Sequence, residues 1–194
     1  MIFLNDSLII GAYFLGSVCS AILVCRVLRL PDPRTEGSGN PGATNVLRFG
    51  GKKAAILTLL GDVGKGLLPV ALARAFGVSD FACALVGLSA FLGHLYPIFF
   101  QFKGGKGVAT ALGVMMGLSP LLGGITSITW LVIFAFFRYS SLAALITTAL
   151  APIYILMLGY SGAFLPVLVM AGLLLWRHKQ NIVRLISGIE PKAG

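Results

Sequence analysis

The sequence predicts an all-α integral membrane protein of seven transmembrane helices, with the N-terminus outside and the C-terminus in the cytoplasm. Three observations predict it. Of the 194 residues, 57% are hydrophobic and 11% are charged, whereas a soluble domain is about a quarter charged. Apolar runs that approach or reach the roughly 20 residues needed to cross a bilayer recur along the whole chain. Alternate polar connections between those runs hold most of the basic residues, which places them on one side. Nearly every long stretch is apolar, so residues 1–194 read as one membrane domain with no soluble domain.

The first run extends from about Leu8 to Leu28 and ends among Arg26 and Arg29. No basic region precedes it and no cleavage site follows, so it reads as a retained helix and not a signal peptide. A polar segment, Leu30 to Lys53, comes next. The second run, about Ala54 to Phe76, contains Asp62 and Lys65, and the third, about Phe81 to Phe100, contains His94. The fourth, Val108 to Leu118, is short. Ser119 and Pro120 break it from a fifth, about Leu121 to Phe137, and the two read as a hairpin. The sixth runs from about Leu142 to Leu158. The seventh, about Ala163 to Trp176, continues into a basic tail.

Charge supports this count. With the N-terminus outside, segments 26–53, 101–107, 138–141 and 177–194 face inward and hold 13 of the 15 basic residues; Lys65 and Arg74 are the exceptions. Six spans would scatter the later cations to both sides. The formal charge of +9 on a soluble protein would suggest nucleic acid. Here topology accounts for it, so no nucleic-acid partner is expected. Cys19, Cys25 and Cys83 lie apart among apolar neighbours with no metal spacing, and read as small buried residues.

Every glycine-rich or mixed polar motif falls on that same inner face. The longest polar interruption is Glu36-Gly-Ser-Gly-Asn-Pro-Gly-Ala-Thr-Asn-Val-Leu-Arg48. Gly37, Gly39 and Gly42 permit positive φ and close backbone approach. Ser38, Asn40, Thr44 and Asn45 supply short polar groups, and Thr44 or Asn45 is placed to cap a short helix toward Arg48. Exposed N–H groups ahead of a helix N-terminus make an anion cradle. The alternative is a flexible linker, but Asn40-Pro41-Gly42 is turn chemistry. Ala43-Thr44 replaces the Lys-Ser/Thr of a P-loop, so no nucleotide is expected.

Lys103-Gly104-Gly105-Lys106-Gly107 is a second glycine loop, with lysines available to a phosphate. By itself it is an ordinary basic connection; beside the first loop it becomes a second cradle. Asp62 and Lys65 share one helix face and are either a self-neutralising ion pair or a substrate contact. His94 reads as a hydrogen-bonded structural residue. His178, Asn181 and Arg184, spaced by three, would lie along a related side of a helical tail and recognise a hydroxyl and a phosphate. Arg177 and Lys179 read as membrane anchors. Ser141 offers another donor, and Glu190 a tether for one of these cations. The chain lacks a His-x-x-x-x-Asp motif: Phe99 and Val183 stand five residues after its two histidines. With so few carboxylates no metal site is expected.

The ordered set Gly37–Arg48, Gly93-His-Leu-Tyr-Pro-Ile-Phe99, Phe102-Lys-Gly-Gly-Lys-Gly-Val-Ala-Thr110 and Arg177-His-Lys-Gln-Asn-Ile-Val-Arg-Leu185 resembles the bacterial acyl-phosphate-dependent glycerol-3-phosphate acyltransferases over nearly the whole chain. Pro41 stands where many relatives carry an aliphatic residue, and Cys19 where a proline is common. The resemblance implies an enzyme of the cytoplasmic (inner) membrane that transfers a fatty acyl group from acyl phosphate to the 1-hydroxyl of glycerol 3-phosphate. Lysophosphatidate and phosphate would result, in the first step of phospholipid synthesis. It implies direct transfer without an acyl-enzyme, and no cofactor or obligate protein partner beyond membrane lipid. His178, Lys106, Ser141 and Asn181 become the candidate catalytic residues. Ser38, Gly39, Asn40, Gly42, Thr44, Asn45, Arg48, Lys103, Gly104, Gly105 and Arg184 become candidate substrate-binding residues. The proton acceptor is either His178 or a substrate phosphate. The rival reading is a small anion or phosphate-lipid transporter, which uses the same basic loops but catalyses flux and no acyl transfer.

Overall fold

A computed structural model describes residues 2–192. The described residues are all-helical, with no strand. Nine α-helices follow in order: α1 (Ile2–Gly16), α2 (Ser20–Val27), α3 (Ala43–Ala75), α4 (Asp80–Leu95), α5 (Val108–Leu118), α6 (Pro120–Phe137), α7 (Ser140–Met157), α8 (Phe164–Arg177) and α9 (Lys179–Ile186). Four stretches are long and apolar enough to cross a membrane: α3, α6, α7, and α4 with the short turn that follows it. Counting the bent pairs α1–α2 and α8–α9 as one span each raises the number to six. The fourth expected run is α5, whose 11 residues reach only about 16 Å at 1.5 Å per residue, half a bilayer core.

Three sequence expectations shift at the boundaries. The first run is not one helix: it breaks at residues 17–19 with a bend of 43°. The third helix ends at Leu95, because Pro97 holds the preceding residue out of the α region, and a single 3₁₀ turn carries the chain to Phe100. The helix after the first glycine loop starts at a different cap than expected. A short helical segment over 43–50 gives way just past Arg48, at Gly51 (φ 77°, ψ 178°), a kink beyond which α3 continues to Ala75, and the N-cap is Gly42 in place of Thr44 or Asn45.

Lipid supplies no hydrophobic drive between helices, so small residues must let backbones touch. Gly113 on α5 lies so close to α3 that a Cβ there would stand 2.0 Å from the Val63 carbonyl oxygen. The main core collects Val70, Val86, Phe91, Leu118, Leu122 and Ile155 from the central helices. A smaller core of Ile22, Cys25 and Val46 ties α2 to the start of α3. The three cysteines are buried and unpaired, as their neighbours suggested.

The α1–α2 break frees backbone carbonyls inside the bundle, and Lys65 answers it. Its Nζ donates to the Val18 carbonyl at 2.8 Å and pairs with Asp62 Oδ1 at 2.9 Å. Both side chains are nearly sealed, Asp62 at 2% and Lys65 at 4% exposure. The ammonium thus acts as a tethered cation at a helix break. Removing one member of a buried pair strands the other, at a cost of about 3–5 kcal/mol. Lys65→Met should therefore lower the thermal unfolding temperature in detergent sharply, and adding Asp62→Asn should recover part of the loss. An unchanged transition in the single variant would show that the pair ties nothing together.

Candidate active site

The helix starts after both glycine loops, together with the start of α7 and the end of α8, surround one cavity of about 820 Å³. Its mouth is polar. From the first loop and α3 come Ser38, Asn40, Gly42, Thr44 and Arg48. Lys106 and the first residues of α5 lie alongside them, and Ser140 and Ser141 open α7. His178, Asn181, Arg184 and Glu190 close the ring from the tail. Three helix N-termini meet here, so unpaired N–H groups and positive dipole ends add to the side-chain cations.

Asn45 shapes the first loop. Its amide nitrogen donates to the carbonyls of Pro33 (3.0 Å) and Glu36 (2.9 Å), and its oxygen accepts from the Ser38 N–H at 2.9 Å. With 2% exposure, its groups are committed to the protein. A Cβ at Gly37 would stand 2.4 Å from that same oxygen, and Gly37 has φ 56°, so glycine is required on both counts. Thr44 Oγ1 and Ser140 Oγ lie 3.2 Å apart, linking α3 to α7 across the mouth.

The second loop is held from two sides. The Gly105 N–H donates to the His94 carbonyl at 3.2 Å. The Arg177 guanidinium donates to the carbonyls of Gly104 (2.9 Å) and Gly105 (3.1 and 3.3 Å). Arg177 is therefore a clamp on the glycine loop and not the membrane anchor that its position beside the apolar run suggested. A Cβ at Gly105 would come 2.3 Å from His94 Nε2, which explains the second glycine of that loop.

Lys106 emerges from this clamped loop and donates to Asn181 Oδ1. Asn181 donates onward to Glu190 Oε1 at 2.6 Å. Ser141 Oγ donates to the same oxygen at 2.6 Å, and Arg184 Nε to Glu190 Oε2 at 2.7 Å. One carboxylate thus joins α7, α9 and the tail. Burial raises the Glu190 pKa, but the donors Ser141, Asn181 and Arg184 outweigh it and hold the group below the usual carboxylate value. Burial, then repulsion from Arg184, pulls the Lys106 ammonium down to about 8, with Glu190 opposing.

His178 sits beyond the end of α8, where the chain bends 57° into α9. Its Nδ1 lies 2.9 Å from the Leu174 carbonyl. A carbonyl only accepts, so Nδ1 carries the proton and Nε2 keeps its lone pair. Burial depresses the ring pKa to about 4, with Lys106 and Arg177 reinforcing it against the raising effect of the Leu174 bond and Glu190. The site therefore holds a neutral imidazole at pH 7.

Of the residues singled out in the sequence, Ser38, Asn40, Gly42, Thr44, Asn45, Arg48, Lys106, Ser141, His178, Asn181 and Arg184 all line the cavity. Gly39, Lys103, Gly104 and Gly105 do not. Gly39 and Lys103 are exposed, and Gly104 and Gly105 are buried with their carbonyls on Arg177. Asp62 and His94 line the cavity as well, with Asp62 Oδ1 3.6 Å from His94 Nδ1. His94 is buried and its Nδ1 faces that carboxylate. Ser140 and Lys52 also border the site. Nothing in their sequence neighbourhoods distinguishes them, because only the approach of α7 to α3 brings Ser140 to Thr44.

The chain matches the glycerol-3-phosphate acyltransferase family over residues 7–188. It is similar to the glycerol-3-phosphate acyltransferase of Methylococcus capsulatus, with 57% identity over 94% of this chain and 93% of that protein. The enzyme of the same name from Thioalkalivibrio sulfidiphilus shares 53% identity over 98% of this chain and 95% of its own length. Among solved structures it resembles PlsY (YgiH), an integral membrane glycerol 3-phosphate acyltransferase, in its glycerol 3-phosphate form. The TM-score is 0.93 at 41% identity, over 98% of this chain and 96% of the other. The lysophosphatidic acid form gives a TM-score of 0.90 at the same identity. Shared motifs, a shared fold and similarity over almost its whole length lead to one conclusion: this chain belongs to the glycerol-3-phosphate acyltransferase family, and is a multi-pass membrane protein.

Proposed function

We propose that this protein transfers a fatty acyl group from acyl phosphate to the 1-hydroxyl of sn-glycerol 3-phosphate, forming lysophosphatidate and releasing phosphate, as the opening step of phospholipid synthesis. The observation that carries the reading is one cavity with two chemically different ends. Its mouth is cationic and crowded with donors; its inner arm is lined by Leu112, Met115, Val167 and Leu174. A small phosphorylated alcohol fits the first, and a donor with a phosphate head and an alkyl tail fits both.

Acyl phosphate is a mixed anhydride, so positioning and charge stabilisation suffice for transfer. The glycerol hydroxyl attacks the acyl carbon directly. The ester C–O bond forms, the anhydride C–O bond breaks, and phosphate leaves with the electron pair. The first loop and the start of α3 hold the acyl phosphate; Arg48, Lys106, Ser141, Asn181 and Arg184 hold glycerol phosphate. The His178 Nε2 lone pair accepts a hydrogen bond from the attacking hydroxyl. The proton ends on the departing phosphate, whose ionisation near 6 suits it better than an imidazole flanked by cations. The site works at the cytoplasmic leaflet of the inner membrane. Seven membrane segments with the N-terminus outside fit this placement, because that arrangement puts 13 of 15 basic residues inside. No cofactor or nucleic acid enters the scheme.

Pure protein in detergent, given labelled glycerol 3-phosphate and either palmitoyl phosphate, palmitoyl-CoA or palmitoyl carrier protein, should make lysophosphatidate from the first donor alone. Product from a thioester would overturn the donor assignment, and flux across vesicles without product would favour the transporter.

Lys106 sets a pH limit. A lysine keeps its charge below its pKa, so the clamp is complete at pH 7 and is lost as pH rises through about 8. The kcat/KM for glycerol 3-phosphate, which reports the free enzyme, should fall between pH 7 and 9.5, and Lys106→Arg should flatten that limb because guanidinium stays protonated. Glu190→Gln removes the negative charge and replaces one of the two acceptor oxygens with an NH2 donor, so either Arg184 or the Ser141–Asn181 pair faces another donor. Charged hydrogen bonds of this kind are each worth about 10- to 150-fold, so KM for glycerol 3-phosphate should rise at least tenfold, checked by initial rates across substrate concentration.

A further inference from the structure

The inner arm of the cavity ends against packed protein. The lining ends at Met115 on α5, Thr126 on α6, Ala151 on α7 and Val167 on α8. One turn further along each helix toward the far end stand Leu118, Leu122, Ile155 and Ala163. All four are 0% exposed and belong to the main core. Four consecutive helices therefore stop lining the cavity and pass into close-packed interior. At 1.5 Å per residue, Val167 lies about 16 Å below His178, and Ala151 about 15 Å below Ser141. On these two helices the lining therefore stops at similar distances from the mouth.

Resting on the reading of a fatty acyl donor, we infer that Ala151 and Val167 are specificity-determining residues that measure the acyl chain. The carbonyl is held at the mouth, where the phosphate groups anchor it, so a straight chain can extend inward only until its methyl end meets those residues. Each further methylene must then displace packed core or bend back on itself. A small residue at 151 and a branched one at 167 set where that limit falls. An apolar pocket separates substrates one methylene apart by about 10- to 200-fold, enough for a floor to act as a ruler.

A competing route is visible in the same wall. Leu59 on α3 and Leu131 on α6 line the cavity and are also exposed on the outside of the bundle. A tail leaving sideways between them into lipid would never reach the floor.

The test is a chain-length profile, with decanoyl, dodecanoyl, hexadecanoyl and octadecanoyl phosphate as donors and labelled glycerol 3-phosphate as acceptor. Ala151→Phe raises the floor. It should lower kcat/KM with hexadecanoyl phosphate by about tenfold or more, and leave decanoyl phosphate within about twofold. The short donor also reports whether the variant has folded. Val167→Ala deepens the floor without adding bulk, and should raise the octadecanoyl-to-hexadecanoyl ratio by about tenfold. Profiles that match the parent protein in both variants would overturn the inference and favour the sideways route, while the parent's own transfer activity would leave the proposed reaction standing. A parent inactive with every acyl phosphate would instead refute the reaction itself.

Discussion

Irregular backbone can lie inside a membrane bundle only where each freed peptide group finds a partner. At three places where this chain leaves the helical state, the departure is met by a polar side chain. Lys65 reaches the Val18 carbonyl at the α1–α2 break. Asn45 spans Pro33, Glu36 and Ser38 in the first glycine loop. Arg177 grips Gly104 and Gly105 in the second. Without these the loops would have to become helix or leave the bundle, and the cavity mouth between them would not exist.

The same economy governs the charges. A cluster of cations about a small cavity repels itself, and Lys106 registers this in its lowered pKa. Glu190 is the carboxylate that offsets it, shared among Ser141, Asn181 and Arg184. It orders these groups before any anion arrives, so less side-chain freedom remains to be lost on binding. The site is preorganised for negative charge by a negative charge of its own. His178 completes the arrangement as a neutral ring with a determined tautomer.

The helices set the cavity's second character. Close backbone contact between α3 and α5, made possible by Gly113, forms one wall. Helices α6, α7 and α8 line the rest, and Leu118, Leu122 and Ile155 beyond it are fully buried. A polar ring above an apolar arm can hold an amphipathic substrate with its reactive bond at the boundary. Transfer then needs little beyond proximity and fixed charge.

Composition and charge asymmetry alone were sufficient to identify a helical membrane protein, and the ordered motifs to identify its family and eleven of the cavity's residues. These signals are local: apolar length, glycine and proline at turns, and basic residues in connections. The sequence could not tell a cavity ligand from a support. Gly104 and Gly105 were legible as a phosphate loop, yet their carbonyls face Arg177; Asn45 was legible as a donor, yet its bonds are spent on the loop. Arg177 looked like an anchor because its sequence neighbours are apolar and basic. Only tertiary packing decides which of two polar groups meets a substrate and which meets the backbone, since both roles use the same donors and differ solely in what stands opposite. The depth of the apolar arm was likewise invisible, because it depends on where four packed helices stop lining the cavity.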